Sequence, residues 1–326
     1  MPTLATVALV FLFSLSLSGQ GVSLFDAAHA SGDTLVVELE VDFKRLLRKK
    51  IGRSFLAAPA TISFGGTIIP LSAKVRRRGN ARLEQCALPG LKLRFNKDAL
   101  RRAGYAGKMN DWKLVLPCYG RPSAQTFLRR EAFAYDLYAL LHDKHVRTIP
   151  ARLKVGEREM PIFLIEHSEQ IAARFGGYEY PDDRLSSRSL ERESYVRLCL
   201  FNYLIQNTDF NVFNLHNLAV IGREGTDLFT PFPYDFDYSG LVGAPYAVPA
   251  EALGTDSIYE RLWRGRNVTA AEIAQQVAYF ESRRDDIYAL VNSYFVGSKS
   301  ERRRINGMVD SYYRDVKKLS TVGRPD

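Results

Sequence analysis

The stretch from Asn207 to Asp237 constrains this chain more than any other. It opens with Asn207-Thr-Asp-Phe-Asn-Val-Phe-Asn-Leu-His-Asn217 and passes through the apolar run Leu218-Ala-Val-Ile221. After a turn at Gly222-Arg-Glu-Gly225, residues Leu228 to Tyr234 return as a strand and deliver Asp235-Phe-Asp237. This is a polar loop of amides and a carboxylate, then a β-hairpin, then a second pair of carboxylates. Such a set suits a divalent cation and a nucleotide phosphate.

Mg2+ takes hard oxygen ligands and commonly binds through one or two carboxylates plus substrate phosphates. Asn217 stands where the loop enters the hairpin strand and Asp235 where the hairpin ends, so these two are the first choice of metal ligands, with Asn214 and Asp237 as further candidates. Asn214 has its own claim, five residues after Asp209, the spacing of a protein-kinase catalytic loop. Asp209 would orient an attacking hydroxyl. A catalytic Asp, a metal-binding Asn and a hairpin ending in a metal-binding Asp follow one another in kinase-type phosphoryl transfer. Taken singly each piece is weak, because Asp and Asn fill turns everywhere. For His216 a local hydrogen bond competes with a ligand or base role.

The segment feeding this loop, Glu191 to Gln206, reads as a helix apolar on most sides and therefore buried. A chain of 326 residues makes one large domain or two lobes, and its net charge of +9 points to acidic partners such as phosphates, an anionic polymer or a membrane surface. Basic runs such as Arg76-Arg-Arg78 and Arg302-Arg-Arg304 also fit solvated faces. No nucleic-acid partner is expected.

At the N-terminus, Leu4 to Ser18 form an apolar run and Ala28-His-Ala30 a small-x-small triplet, the pattern of a signal peptide cleaved after Ala30. No Lys or Arg precedes the run, so an uncleaved anchor is the alternative. No later stretch is long enough to span a bilayer. The expectation is an exported protein, periplasmic or extracellular, organised as residues 1–30 signal peptide, 31–166 β-rich lobe and 167–326 helical lobe. Of three cysteines, Cys86 and Cys118 could form a bridge in an oxidising compartment, and Cys199 reads as a buried thiol.

Strands are expected over Leu35 to Val41, Ala60 to Phe64, Thr67 to Leu71, Ala73 to Arg77, Leu91 to Phe95, Asp111 to Leu116, Ala151 to Val155 and Met160 to Ile165, giving a twisted antiparallel sheet. On Leu91 to Phe95, alternation sends Lys92 and Arg94 to one face. Lys92 is a candidate phosphate contact and otherwise a solvent-facing strand lysine. Arg78, followed by Gly79, could bind phosphate or simply make a turn. A helix from about Ala124 to Asp143 carries Glu131 in a stripe with Phe127, Tyr135 and Tyr138; its partner is expected to be Lys92, or Arg129 or Arg130 at the surface. Glu166-His167 lies at the exit of the smaller lobe. Capping boxes at Thr269 with Glu272 and Ser298 with Glu301 start two C-terminal helices, the first running through Ile273, Ile287 and Leu290.

The succession Arg78-Gly-Asn80, Lys92-Leu-Arg-Phe95, Trp112-Lys-Leu114, the Glu131 helix, Phe163-Leu-Ile-Glu166, Asn207-Thr-Asp209, His216-Asn217 and Pro233-Tyr-Asp-Phe-Asp237 resembles the CotH family of spore-coat and secreted kinases. The resemblance covers about Ala73 to Tyr246. It implies an α+β, two-lobed protein-kinase-like fold that binds ATP and Mg2+ and phosphorylates secreted proteins. By that likeness Lys92 is the nucleotide lysine, Asp209 the catalytic Asp, Asn217 the metal amide and Asp235 the metal carboxylate. Lys92 and Glu131 then join Asp209 in the catalytic set, while Arg78, Lys92, Glu166 and His216 face the nucleotide. The function expected is transfer of a phosphoryl group from ATP to a hydroxyl of an exported protein or envelope acceptor. The alternatives are an inactive kinase-like module binding an anionic ligand and, further off, a metal-dependent hydrolase.

Overall fold

The computed structural model describes residues 21–321, so the apolar run from Leu4 to Ser18 lies outside them. The chain begins with α1 (Leu24–Ser31), β1 (Leu35–Leu39), α2 (Phe43–Leu47), β2 (Leu56–Ala57), β3 (Ala60–Phe64), β4 (Thr67–Leu71) and β5 (Ala73–Arg78). It continues with α3 (Ala81–Gln85), β6 (Gly90–Phe95), α4 (Lys97–Arg102), β7 (Asp111–Val115), α5 (Pro122–Leu141), β8 (Thr148–Val155), β9 (Arg158–Ile165) and α6 (Ser168–Arg174). Then come β10 (Tyr178–Glu179), α7 (Arg192–Leu204), β11 (Leu218–Gly222), β12 (Thr230–Pro233), α8 (Ala270–Ser282), α9 (Arg284–Tyr294) and α10 (Lys299–Asp315).

Nine strands form one sheet in the order β2-β5-β6-β7-β9-β8-β1-β3-β4, and the alternating apolar residues of each strand explain why. Leu35, Val37 and Leu39 of β1, Ile62 of β3, Leu93 of β6, Trp112 of β7 and Leu153 of β8 share one core, which α1, α2 and α4 join through Phe25, Phe43 and Leu100. The sheet is mixed rather than antiparallel throughout. β1 runs antiparallel to β3 on one edge and parallel to β8 on the other, with Leu35 opposite Ala151. Residues 24–31, which a cut after Ala30 would largely remove, form α1 and bury Leu24, Phe25 and Ala28.

A second core fills the helical half, where Phe133, Phe201, Phe280 and Tyr312 pack with Val115, Phe163 and Ile165 from the sheet. α7 lies at its centre, and every residue from Ser194 to Leu204 is buried. The Thr269 capping box forms as expected. The helix it starts, however, breaks at Arg283 into α8 and α9, with Arg283 N–H donating to the carbonyls of Tyr279 and Phe280. Before α7, β10 pairs with β11 in a small three-stranded sheet.

Cys86 and Cys118 form a disulfide, with Cα atoms 4.7 Å apart. Cys199 is a buried free thiol, and burial pushes it up to about 12. Among the described residues no helix is long and apolar enough to cross a membrane.

Candidate functional site

α7 hands the chain to the loop at Asn207, and local amides shape the loop from its first residue. Asn207 Nδ2 donates to Asn202 Oδ1 at 2.8 Å, and Asn207 Oδ1 accepts from the Asp209 N–H at 3.0 Å. From outside the loop, Arg264 donates to the carbonyls of Thr208 and Phe210 and lies 5.1 Å over the Phe210 ring. Asp209 is thereby held. Its carboxylate meets His216 Nε2 at 3.0 Å and accepts from Asn217 Nδ2 at 2.9 Å. Asn217 Nδ2 also donates to the Asp209 carbonyl at 2.7 Å, which leaves Oδ1 as the free ligand atom of that amide.

The hairpin brings Asp235 to the same place. Leu218 pairs with Pro233, and the Tyr234 N–H donates to the Asn217 carbonyl at 3.0 Å, so Asn217 and Asp235 leave the hairpin side by side. Both adopt left-handed backbone, with φ of 56° and 63°. With Gln206 and Leu215 they make four of the six non-glycine residues of positive φ among the described residues. Each such residue costs of order 1–3 kcal/mol, and clustering of that strain marks functional loops. The Asp235 N–H donates to Tyr135 Oη on α5 at 2.9 Å. Phe236 is anchored between the rings of Tyr135 and Phe201, at 4.8 and 5.4 Å. Burial, with Asp237 adding to it, pushes the Asp235 carboxyl up to about 6.

A cavity of about 260 Å3 is lined by Asp209, His216, Asn217 and Asp235 on one side and by Arg78, Gly79 and Arg82 on the other. A second cavity, of about 190 Å3, flanks it. Leu218 and Tyr234, each next in sequence to a residue of the first cavity, line the second together with Lys113, Val146 and Ile171.

Three expectations require correction. Lys92 lines neither cavity and does not reach Glu131, because its Nζ is 2.6 Å from Asp111, a carboxylate that Arg94 also holds. The partner of Glu131 is Arg82, and neither Arg129 nor Arg130 contacts it. Arg82 also donates from Nε to Asp237 Oδ2 at 3.0 Å, and Tyr246 Oη donates to the same oxygen at 2.9 Å. Asp237 thus lines the cavity with one oxygen already committed. Burial raises the Glu131 carboxyl above the usual range while the touching guanidinium opposes the shift. Glu166, expected to face a nucleotide, lines the second cavity although it is almost wholly buried. It accepts from Arg147 and Arg174 on both carboxylate oxygens. Asn214 lies outside both cavities, its Oδ1 accepting from the His216 N–H at 3.3 Å, so Asn217 is the amide placed to hold a cation.

Lys113 is the site residue that sequence alone does not bring out. It sits opposite Lys92 on the adjoining strand, lies 5.2 Å over the Tyr234 ring and lines the second cavity. Among the described residues no carboxylate pairs with it. Burial, with Arg78 and Lys92 adding to it, pushes its ammonium down to about 8. The available signal was a lone lysine inside an otherwise apolar strand, Trp112-Lys-Leu-Val-Leu116. Arg82 gave no comparable signal, since its partners lie far along the chain.

The fold and cleft define an α+β protein whose sheet-rich and helical halves meet at a cluster of acids, an amide and cations. No protein-family model matches the chain, so membership of the CotH family is not shown, and no curated protein matches it in sequence. Among solved structures it is similar to a proinflammatory kinase, CtkA, of Helicobacter pylori. That likeness has a TM-score of 0.38 at 11% identity, over 64% of this chain and 92% of the other. The cleft's own residues, rather than this distant likeness, carry the chemistry.

Proposed function

We propose that the cleft binds a nucleoside triphosphate with Mg2+ and transfers a phosphoryl group to a hydroxyl, in the manner of a kinase. The observation that carries this is the convergence of Asp209, Asn217 and Asp235 on one cavity. Asn217 Oδ1 and the Asp235 carboxylate are hard oxygen donors adjoining each other, a set that fits Mg2+ and would hold it. The cation would supply charge neutralisation for the phosphates. Lys113 and Arg78 lie on the sheet side to take phosphate oxygens, and Val146, Ile171 and Leu218 offer a base apolar contact in a cavity that Glu166, Ser168 and Glu179 also line. Asp209 is the group placed to orient the acceptor hydroxyl and draw off its proton, with His216 fixing the carboxylate's rotation. Arg82, by holding Asp237 and Glu131 at once, keeps the Asp235-Phe-Asp237 turn registered against α5.

A second reading, binding without transfer, draws on the same residues. Both oxygens of Asp209 are already engaged, by His216 and by Asn217, which limits the carboxylate's freedom to turn toward an acceptor hydroxyl. Two measurements separate the readings. Mg·ATP should raise the melting temperature of the wild type by several degrees and of Asp235→Ala hardly at all. Absence of any shift in the wild type would sink both readings. Phosphate incorporation into an acceptor that disappears in Asp209→Ala then assigns an enzyme, whereas binding without incorporation assigns a module. Action on exported or envelope acceptors, outside the cytoplasm, is the further part of this proposal, supported by the apolar run from Leu4 to Ser18.

A further inference from the structure

The connection between the two halves is held by a chain of charges that begins in α1. Glu166 comes directly after β9, and its buried carboxylate accepts five hydrogen bonds: from the Arg147 N–H, Nε and Nη2, at 3.0, 3.0 and 2.7 Å, and from Arg174 Nε and Nη2, at 2.9 and 2.7 Å. Arg174 Nη2 donates in addition to the His145 carbonyl at 2.6 Å, and the Glu166 N–H donates to the Arg147 carbonyl at 2.9 Å. Two guanidiniums against one carboxylate leave a surplus positive charge. Asp26 of α1 supplies the balance by pairing with Arg147 Nη2, and Phe25 lies 5.6 Å beneath the same guanidinium.

α1 itself is built to stay. Ser23 caps it by accepting from the Asp26 N–H at 3.0 Å, and the residue before, Val22, accepts through its carbonyl from the Ala106 N–H at 3.0 Å. Leu24, Phe25 and Ala28 are 3%, 1% and 1% exposed, in the same core as β1 and β8. A cut after Ala30 would remove the cap, all three core residues and Asp26 together.

We propose that Asp26 is a positioning residue for the connection at Glu166, and that any maturation cut in this chain falls N-terminal to Ser23. Small-x-small triplets that signal peptidase could read are present there, at Ser16-Leu-Ser18 and Gly19-Gln-Gly21. This goes beyond the nucleotide reading, and its test uses no nucleotide, so the two stand or fall separately.

The test has two arms, both on the full chain. Expressed with its own leader in a secretion-competent bacterial host, the protein should have an intact mass that places its first residue no later than Ser23. A product beginning at Ser31 overturns the proposal. In the second arm, amide hydrogen exchange is compared between the wild type and Asp26→Asn. Exchange over residues 145–147 and 166–170 should quicken by about two- to fivefold, the scale of a partly exposed ion pair, with the helical core unchanged and Asp26→Glu restoring protection. Uniform quickening across the sheet, or no change at Glu166, would show that Asp26 merely packs α1 and positions nothing.

Discussion

Lys113 holds a largely desolvated ammonium over an aromatic face, and among the described residues no carboxylate forms an ion pair with it. A buried unpaired cation is costly unless an anion arrives to meet it. Lys113→Met should therefore raise the melting temperature of the unliganded protein by about 2–4 °C while removing most of the stabilisation given by Mg·ATP. A scanning fluorimetry pair, with and without nucleotide, checks both halves of that statement. Arg82 presents the opposite case, since its removal strands two acids, Glu131 and Asp237. Arg82→Met should cost about 3–5 kcal/mol in urea denaturation. At this scale the loop and hairpin were legible because their residues are consecutive and each type has few other uses in that order. The cations were not, because pairing is decided across the fold: Arg82 and Asp237 are 155 residues apart. Lys92 was the natural choice from alternation alone, and only its neighbour Asp111 removes it.

Among the elements, α3 depends most on its surroundings. A helix of five residues has no stability of its own, yet it carries Arg82 into the cleft. It starts beyond Gly79, whose φ of 94° turns the chain away from β5, and it ends at Cys86, bonded to Cys118 just past β7. Removing the bridge with Cys86→Ser and Cys118→Ser should lower stability by about 2–4 kcal/mol. If α3 is held by that bridge, the Mg·ATP-induced shift should fall in the same variant by more than it does in a control of equal stability loss. Helices that open with a capping box, such as α8, were legible from sequence. α3 was not, since five residues show no period, and the break at Arg283 was hidden by helix-favouring residues on both sides. The stripe of Glu131 and Tyr135 on α5 was legible as one face. Its target, the Asp235-Phe-Asp237 turn, could be seen only in three dimensions.

For the whole molecule, pH offers a test with a definite sign. Lys113 has its folded-state value depressed from 10.5 to about 8, so between those limits the unfolded chain binds the extra proton and stability rises with pH. The rise in melting temperature between pH 8 and 10 should be flatter in Lys113→Met than in the wild type. Nucleotide binding should run the other way, weakening above about pH 8 as the ammonium that meets phosphate is lost. Two halves, a sheet and a set of helices, were legible from the alternating and helical periods. The parallel entry of β1 beside β8 was not, because alternation records which face a strand shows and not which way its neighbour runs. That entry governs the order of assembly. Leu35 finds Ala151 only after the intervening strands have been made, so the seam between β1 and β8 stays unzipped until Val155 has emerged, through roughly the first half of synthesis.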